Sequence, residues 1–341
     1  MALPHTQIGG GGLHILVAED IDGGYTVPNR GVFIHAVDGV SLTLERNEVL
    51  GIAGESGCGK STLAKIIYGA VEPPLTVRRG RVLIEAGDKG FIDMLSCDRD
   101  TVRREIMWKT LSYIPQNSMN VLNPMKRIRD HFIETFKFHG MEIGKRDVVN
   151  YIREVFNSVG LPVDAINAYP HQLSGGMRQR IVIALALMLR PRVVLADEPT
   201  TAVDVVTQLG ILSFLKEWQR SNKCSIIVIS HDMGVHAYMD DRIAIMYAGN
   251  IVEYGEAEKV FMEPLHPYTK LLIESLIKRG ERTLKKGILG SPPNLANPPP
   301  GCRFHPRCPY AMDVCRREEP PETIVGSRYR VRCWLYSRDG R

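Results

Sequence analysis

Gly54-Glu-Ser-Gly-Cys-Gly-Lys60-Ser61-Thr62 is the stretch that decides the fold of this 341-residue chain. It fits the pattern G-x-x-x-x-G-K-[ST] at every fixed position. The apolar run 48–53 before it predicts a short strand, and residues 61–68 after it predict a helix. In that context successive backbone N–H groups converge on a phosphate, whereas a chance glycine-rich turn has no such flanks. We predict a nucleoside-triphosphate site in which Lys60 reaches the β- and γ-phosphate oxygens, Ser61 ligates Mg²⁺, and the remaining contacts come from Gly54, Ser56, Gly57, Cys58, Gly59 and Thr62.

A pair of carboxylates follows a second apolar run, Val193-Val-Leu-Ala-Asp197-Glu198. Carboxylates at the end of a strand lie at the sheet edge where open α/β sheets bind ligands. Alone, such a pair is more often a solvated strand end, but together with the glycine loop it favours catalysis. We expect Asp197 to hold Mg²⁺ and Glu198 to act as general base on the attacking water.

Three further features have the type and order that a nucleotide site needs. Gln116 follows Tyr113-Ile-Pro at a predicted strand end, and His231 ends the strand 225–230, where it could contact the γ-phosphate. Leu173-Ser-Gly-Gly-Met-Arg-Gln-Arg180 puts Ser174 and two glycines at the start of a helix. The start of a helix favours an anion, so this segment predicts a second anion site.

The order of elements predicts a mostly parallel α/β sheet, since apolar strands alternate with helices. Residues 14–54 are mostly strand-like, residues 124–172 read as a helical insertion, and a hairpin is expected at Gly249-Asn250. Nine of the 21 prolines fall in 291–321, which argues against regular structure there.

Composition excludes several classes of function. The chain is 44% hydrophobic and 24% charged, with a formal net charge of +5, which is too small to favour nucleic acid as the main ligand. The longest apolar run, 181–189, is about half of the roughly 18 residues that span a bilayer. The N-terminus lacks a secretory signal pattern. We therefore expect a protein on the cytoplasmic side, peripheral if it serves a membrane.

Taken together, these motifs resemble those of ATP-binding cassette (ABC) ATPases over roughly 14–255, and the Ser-Gly-Gly segment separates that family from other P-loop enzymes. The resemblance implies a P-loop NTPase fold of ABC type, with a RecA-like core, an antiparallel β subdomain and a helical insertion, in a nucleotide-binding domain at 1–255. It also implies that Gln116 contributes to the Mg²⁺ site and that Tyr25 stacks on adenine, with Phe33 as the rival.

The same resemblance implies two cassettes packed head to tail. In that arrangement Gln172, Ser174, Gly175 and Gly176 contact the ATP of the partner cassette. The family's Ala-Leu-Asp turn is present as Ala202-Val203-Asp204, which leaves Asp204 in place.

Beyond the cassette, Pro264-Leu-His-Pro-Tyr-Thr-Lys-Leu-Leu272 resembles the His-Pro-Tyr element of oligopeptide and dipeptide importers. We divide this part into a linker element at 256–290 and a Pro/Cys-rich extension at 291–341. The resemblance implies a different second ATPase subunit, two membrane permease subunits, an extracellular substrate-binding protein and no nucleic acid. Cargo could be peptides, nickel or oligosaccharides. The alternatives are a soluble ABC ATPase acting on nucleic acid or ribosomes, and an exporter cassette.

Four cysteines crowd into the tail, Cys302, Cys308, Cys315 and Cys333, with the spacing C-x5-C-x6-C-x17-C. This differs from the C-x2-C pairs of zinc ribbons and from the ferredoxin spacing. The resemblance implies a structural 4Fe-4S cluster on the four thiolates; zinc is the alternative, and unligated thiols are the third possibility. A metal clip would order a segment that has no large core of its own.

Overall fold

A computed structural model describes residues 13–27, 31–116, 120–141, 145–201, 203–275, 287–326 and 328–337, with the side chains of 145 and 146 excepted. The strands are β1 His14–Val27, β2 Val32–Glu45, β3 Val49–Ala53, β4 Leu75–Glu85, β5 Phe91–Asp93, β6 Leu111–Ile114, β7 Val193–Asp197, β8 Ser225–Ser230, β9 Arg242–Tyr247, β10 Asn250–Glu256, β11 Glu322–Gly326 and β12 Tyr329–Arg332. The α-helices are α1 Lys60–Tyr68, α2 Arg99–Thr101, α3 Ile128–Phe138, α4 Lys145–Ser158, α5 Gly175–Leu187, α6 Val205–Asn222, α7 Met233–Met239, α8 Ala257–Met262 and α9 Pro267–Glu274. In these described ranges no helix is long and apolar enough to cross a membrane.

The main sheet has the strand order β11-β12-β10-β9-β3-β8-β7-β6. Its central pairs, from β9 through β3, β8 and β7 to β6, are parallel, and β10, β11 and β12 are added antiparallel. Strands β3, β7 and β8 are buried at every position, because helices cover both faces of a parallel sheet. The predicted α/β sheet and the hairpin between β9 and β10 are confirmed.

A second, antiparallel sheet has the order β2-β1-β4-β5. It packs on α1, where Leu63, Ile66 and Ile67 share one apolar cluster with β1 and β2. The fit is close, since a Cβ at Gly23 of β1 would lie 2.7 Å from Ile66 Cδ1. This sheet therefore forms the wall beside the glycine loop.

The helical insertion has an apolar cluster of its own, built from α3, α4 and the face of α5 that meets them. Phe132 and Phe156 are fully buried there, with ring centroids 5.9 Å apart in an edge-on arrangement. The predicted segment 124–172 thus contains two helices followed by two 3₁₀ turns, 163–167 and 170–172; residues 142–144 lie outside the described part.

The C-terminal region joins the main sheet, which the sequence analysis missed. Strand β12 pairs with β10 at Glu253–Val331 and Tyr254–Arg330, and β11 pairs with β12. In 291–321 the described elements are two 3₁₀ turns, 305–307 and 314–316, as the prolines predict. The extension is therefore continuous with the sheet, although its proline-rich part is irregular.

Candidate nucleotide-binding site

The glycine loop turns from β3 into α1 through a backbone that only glycine adopts easily. Gly54 has φ +152°, Gly57 +79° and Gly59 +109°. A Cβ at Gly59 would lie 1.9 Å from the carbonyl oxygen of Ala36, and one at Gly54 would lie 2.2 Å from that of Met246. The two fixed glycines of the motif are thus required by backbone packing against β2 and β9.

Lys60 folds back over the loop that precedes it. Its Nζ donates to the carbonyl oxygens of Gly54 (2.7 Å) and Glu55 (3.0 Å), and the residue is 7% exposed. Cys58 differs from the prediction in one respect: its buried side chain lies off the cleft, and burial raises the pKa of its thiol. Its N–H donates to the Glu55 carbonyl, so its part in the loop is that of a turn residue.

A cleft of about 520 Å³ opens over the loop, within the size range of small-ligand sites. Three walls surround it, and a fourth contribution comes from the C-terminal region. The lining residues are Ser56, Gly57, Gly59, Lys60, Ser61 and Thr62 of the loop and α1; Tyr25, Ile34 and Ala36 of the antiparallel sheet; Gln116, Glu198 and His231 at the strand ends; and Leu295.

Tyr25 rather than Phe33 faces this cleft. The Tyr25 hydroxyl is hydrogen bonded to Thr62 Oγ1 at 3.1 Å, which ties β1 to the start of α1. Phe33 lies under the guanidinium of Arg78, 3.5 Å from the ring centroid, and is not among the lining residues. The geometry therefore favours Tyr25 as the aromatic contact for a base.

Asp197, at the carboxyl end of β7, lies next to the loop serine. It is 1% exposed, and its carboxylate accepts hydrogen bonds from Ser61 Oγ (3.2 Å) and Tyr113 OH (3.1 Å). Burial raises the pKa of Asp197, while the two hydroxyl donors act in the opposite direction. A hydroxyl and a carboxylate oxygen at this distance form a donor set suited to Mg²⁺.

Glu198 and His231 meet at the ends of adjacent parallel strands, β7 and β8. Glu198 Oε1 lies 2.7 Å from His231 Nδ1 and accepts the His231 backbone N–H at 3.1 Å. Oε2 accepts from Thr201 Oγ1 at 3.2 Å. Glu198 is 9% exposed, whereas the His231 side chain is 63% exposed in the cleft. The carboxylate is thus fixed and desolvated, which suits a general base.

The Ser-Gly-Gly segment lies apart from the cleft of its own chain. Ser174 caps α5 by accepting the Met177 N–H at 3.3 Å, and none of Ser174, Gly175 and Gly176 lines the cleft. A Cβ at Gly176 would come within 2.9 Å of Thr207 Cγ2.

Asp204 and Gln172 also lie outside the lining of the cleft. Asp204 caps α6 and accepts from the Thr207 backbone N–H at 3.0 Å, beside the Ser-Gly-Gly segment. Gln172 accepts the Tyr169 N–H at 2.8 Å. Ala202 of the predicted turn lies outside the described residues.

The four tail cysteines are all free thiols in the described part of the chain. Burial raises the pKa of Cys302 to about 11 and that of Cys333 to about 12, and the thiols of Cys308 and Cys315 add to both shifts. In the described ranges no three potential ligand atoms of the tail lie within 4.8 Å of one another. Zn–S bonds of about 2.3 Å in a tetrahedron place sulfurs about 3.8 Å apart, so the tail thiols would have to move closer together to hold a single zinc ion. Four free thiols in one segment are a donor set of the type that holds a metal group through sulfur.

Several contacts of the site carried no sequence signal that we read. Tyr113 donates to Asp197, and Thr201 donates to Glu198. Tyr113 lies on β6, three residues before Gln116, so its closeness to the site was the one available signal. Tyr268 and Arg307 contact Glu55 of the loop from more than 210 residues away. Contacts between residues so far apart in the sequence cannot be recognised from a local motif.

Fold and site together define a P-loop ATPase of the ABC class. The family model described as ABC transporter matches residues 37–201, and that described as oligopeptide/dipeptide transporter, C-terminal region, matches 252–315. The chain belongs to the oligopeptide/dipeptide family of ABC transporter ATP-binding proteins. Its activity is ATP hydrolysis coupled to transport.

Similarity to individual proteins extends over nearly the whole chain. It is 40% identical to the dipeptide transport ATP-binding protein DppD of Caldanaerobacter subterraneus subsp. tengcongensis, covering 96% of this chain and 98% of the relative. The DppD protein of Bacillus subtilis is 42% identical, with 89% of this chain and 90% of the relative covered. Among solved structures, the dimeric ATP-binding cassette MJ0796 in a post-hydrolysis state with ADP and phosphate is 26% identical, with a TM-score of 0.62 over 71% of this chain and 98% of that one.

Proposed function

We propose that this chain powers the uptake of oligopeptides or dipeptides by a membrane importer. The observation that carries the proposal is the match of 252–315 to the C-terminal region of oligopeptide/dipeptide transporters, which contains the His266-Pro-Tyr268 element. The names of the dipeptide transport relatives support the same cargo class. Nickel and oligosaccharides are the alternative cargoes.

The proposed roles follow the geometry of the cleft. The loop from Gly54 to Thr62 binds the phosphates, Lys60 contacts the β and γ oxygens, and Tyr25 stacks on the base. Ser61, Asp197 and Gln116 would hold Mg²⁺, whose charge stabilises the negative charge on the phosphate oxygens. Glu198 takes the proton of the attacking water, and His231, hydrogen bonded to Glu198, contacts the γ-phosphate.

The site is completed by a second cassette. Ser174, Gly175, Gly176 and Gln172 of one chain close over ATP bound to the loop of the other, and Asp204 lies at the same interface. Support comes from the position of these residues outside their own cleft. By the family resemblance, the partner is a different ATPase subunit.

The assembly we propose also includes two permease subunits and an extracellular substrate-binding protein, with this chain peripheral on the cytoplasmic face. Residues 1–255 form the nucleotide-binding domain, with the helical subdomain at about 124–172, followed by the linker element at 256–290 and the extension at 291–341.

We further propose that Cys302, Cys308, Cys315 and Cys333 ligate a structural 4Fe-4S cluster. Their grouping in the tail supports it, since all four are free and none is fully exposed. Anaerobically purified protein should be coloured and contain about four iron and four sulfide per chain. Colourless protein that lacks both would contradict the cluster, and bound zinc would favour the alternative.

The cargo is tested with the assembled transporter in vesicles. Addition of binding protein and peptide should stimulate ATP hydrolysis, and Lys60→Ala in this chain should remove the stimulated rate. Stimulation by nickel or oligosaccharide instead of peptide would overturn the peptide assignment. Co-purification with ribosomes or DNA in place of membrane subunits would favour a soluble ABC ATPase.

A further inference from the structure

We propose that Tyr268 and Arg307, both from the C-terminal region, are positioning residues for the phosphate loop. They hold Glu55, the residue after the first loop glycine, and Arg307 neutralises the carboxylate that this residue adds to the phosphate loop. The inference rests on the nucleotide assignment of the loop, and it makes the C-terminal region part of the ATP site.

Glu55 is held at its backbone and at its side chain. Its N–H donates to the Tyr268 hydroxyl at 2.9 Å. Its carboxylate accepts two hydrogen bonds from the Arg307 guanidinium, at 2.6 and 3.0 Å. A bidentate pair of this kind fixes orientation as well as charge.

The two clamping side chains are themselves fixed before any ligand binds. Tyr268 is fully buried, with its ring 4.6 Å from that of Tyr247 and 5.3 Å from that of Phe304. The Arg307 side chain is 5% exposed, and its Nε donates to the carbonyl oxygen of Leu289 at 3.0 Å. Neither side chain needs to be ordered when ATP arrives, so their contacts with Glu55 cost little further entropy.

The Arg307–Glu55 ion pair matters because an unpaired negative charge on the loop opposes the binding of a polyanion. The loop must hold a polyanion, yet it contains a carboxylate whose side chain is 24% exposed. Like charges at close range repel more strongly in a partly buried site than in water. The carbonyl of Glu55 also accepts from Lys60 Nζ at 3.0 Å, so a displaced Glu55 would move a contact of the phosphate-binding lysine.

A second contact shows that the same region reaches the cleft. Leu295 lines it together with Tyr25 and Ile34, and packs as well on the cluster that contains Tyr268 and Phe304. The segment 287–308 therefore approaches the nucleotide site at two separate points, the loop and the cleft wall.

The test is the dissociation constant (Kd) of MgATP for the full chain. It is measured first for Arg307→Gln and then for the double variant that also carries Glu55→Gln. Arg307→Gln leaves the Glu55 carboxylate unpaired and should raise Kd about tenfold. Adding Glu55→Gln removes that carboxylate and should restore most of the affinity. A single variant with wild-type Kd, or a double variant as weak as the single one, would overturn the charge-neutralising role. Arg307→Lys keeps the positive charge but cannot donate two parallel hydrogen bonds to one carboxylate, so its Kd should lie between those of wild type and Arg307→Gln.

Controls separate positioning from folding and from the function itself. Arg316→Gln removes an exposed arginine of the same tail and should leave Kd unchanged. Thermal melting without nucleotide monitors the fold of each variant, and rescue by Glu55→Gln is not expected from lost packing. Lys60→Ala should abolish MgATP binding. If Lys60→Ala binds MgATP normally, the nucleotide assignment is wrong. If Lys60→Ala does not bind MgATP but Arg307→Gln binds it normally, only the role proposed for Arg307 is refuted.

Tyr268 is tested separately. Tyr268→Phe keeps the ring in its aromatic cluster and deletes the acceptor for the Glu55 N–H, so Kd should rise about threefold. An unchanged Kd would remove Tyr268 from the set of positioning residues.

Discussion

At the scale of single residues, the two adjacent carboxylates of the site are held by different partners. Glu198 is buried and receives hydrogen bonds from His231 and Thr201, whereas Asp197 receives them from Ser61 and Tyr113. Two adjacent carboxylates thus have different environments. This difference suits the roles that we propose, with Glu198 as the base and Asp197 beside Ser61 in the Mg²⁺ site.

Glu198→Gln should lower the ATP turnover of the assembled transporter about 10²- to 10⁴-fold, because an amide cannot accept the proton of water. The glutamine oxygen can still accept the His231 N–H, so MgATP binding should persist. The measurement is phosphate release together with Kd. Glu217→Gln, an exposed residue on α6, is the matched control. Normal turnover by Glu198→Gln would show that another group is the base.

At the scale of elements, His266 connects the His-Pro-Tyr motif to the start of α9. Its Nδ1 accepts the Tyr268 N–H at 3.0 Å, and Pro267 occupies the first helical position. Burial alone lowers the pKa of His266 to about 3, so the imidazole is neutral in the fold. The motif is therefore a helix cap, and its capped helix carries the tyrosine that reaches the phosphate loop.

This cap predicts a loss of stability at acid pH. Because the pKa is lowered from 6.5 in the fold, the unfolded chain takes up the proton first as pH falls through 6.5 toward 3. The contribution of the neutral imidazole to the free energy of unfolding is complete above pH 6.5. By pH 5, about 2 kcal/mol of that contribution should be lost.

His266→Asn keeps a capping acceptor and should flatten that part of the stability curve, measured by denaturant unfolding at pH 7 and pH 5. Glu253 accepts the His266 backbone N–H at 3.0 Å, and burial raises the pKa of its carboxyl in both proteins, so the difference between the two curves isolates the His266 imidazole. The same substitution at the exposed His171 should leave the curve unchanged. Equal slopes for wild type and His266→Asn would contradict a neutral buried imidazole.

How far the sequence predicts this molecule depends on the separation of the interacting residues. Gly54 to Ser61 form a local motif, and 193–197 is a strand with its carboxylate at the end, so loop, strand and their order could be predicted. The pairing of β12 with β10 could not, because β12 is only four residues long and nothing in its sequence specifies which strand lies beside it. Arg307 reads as a solvated arginine in a proline-rich tail; only the folded chain brings it to Glu55.

At the scale of the whole molecule, one sheet runs from the strand before the phosphate loop to the last strand of the tail. The path is β3, β9, β10 and β12, and each step is a hydrogen-bonded neighbour. Cassette and extension therefore form one continuous structure at this edge. At the other edge of the sheet, α5 packs beside β6, and the start of α5 carries the Ser-Gly-Gly segment that we propose contacts the ATP of a partner cassette.

Ser174→Asp tests the partnership. Aspartate caps a helix as well as serine does, so the melting temperature and the chain's own Kd for MgATP should not change. In the assembled transporter the new carboxylate would face the partner's triphosphate, and turnover should fall at least tenfold. Phosphate release by the transporter and Kd of the isolated chain give the two readings. Ser158→Asp on the helical insertion is the control. A weakened Kd in the isolated chain would place the segment in its own site instead.

The ion pair between Arg307 and Glu55 also has a consequence for the nascent chain during translation. Arg307 follows Glu55 by 252 residues. At about 5 to 20 residues per second, the ribosome adds it some 13 to 50 seconds later. From the addition of Glu198 until that of Arg307, the nascent cassette has its glycine loop and both strand-end carboxylates, yet the charge of Glu55 is unopposed. On the role proposed for Arg307, full affinity for ATP is reached only after the tail has been translated and has docked on the loop.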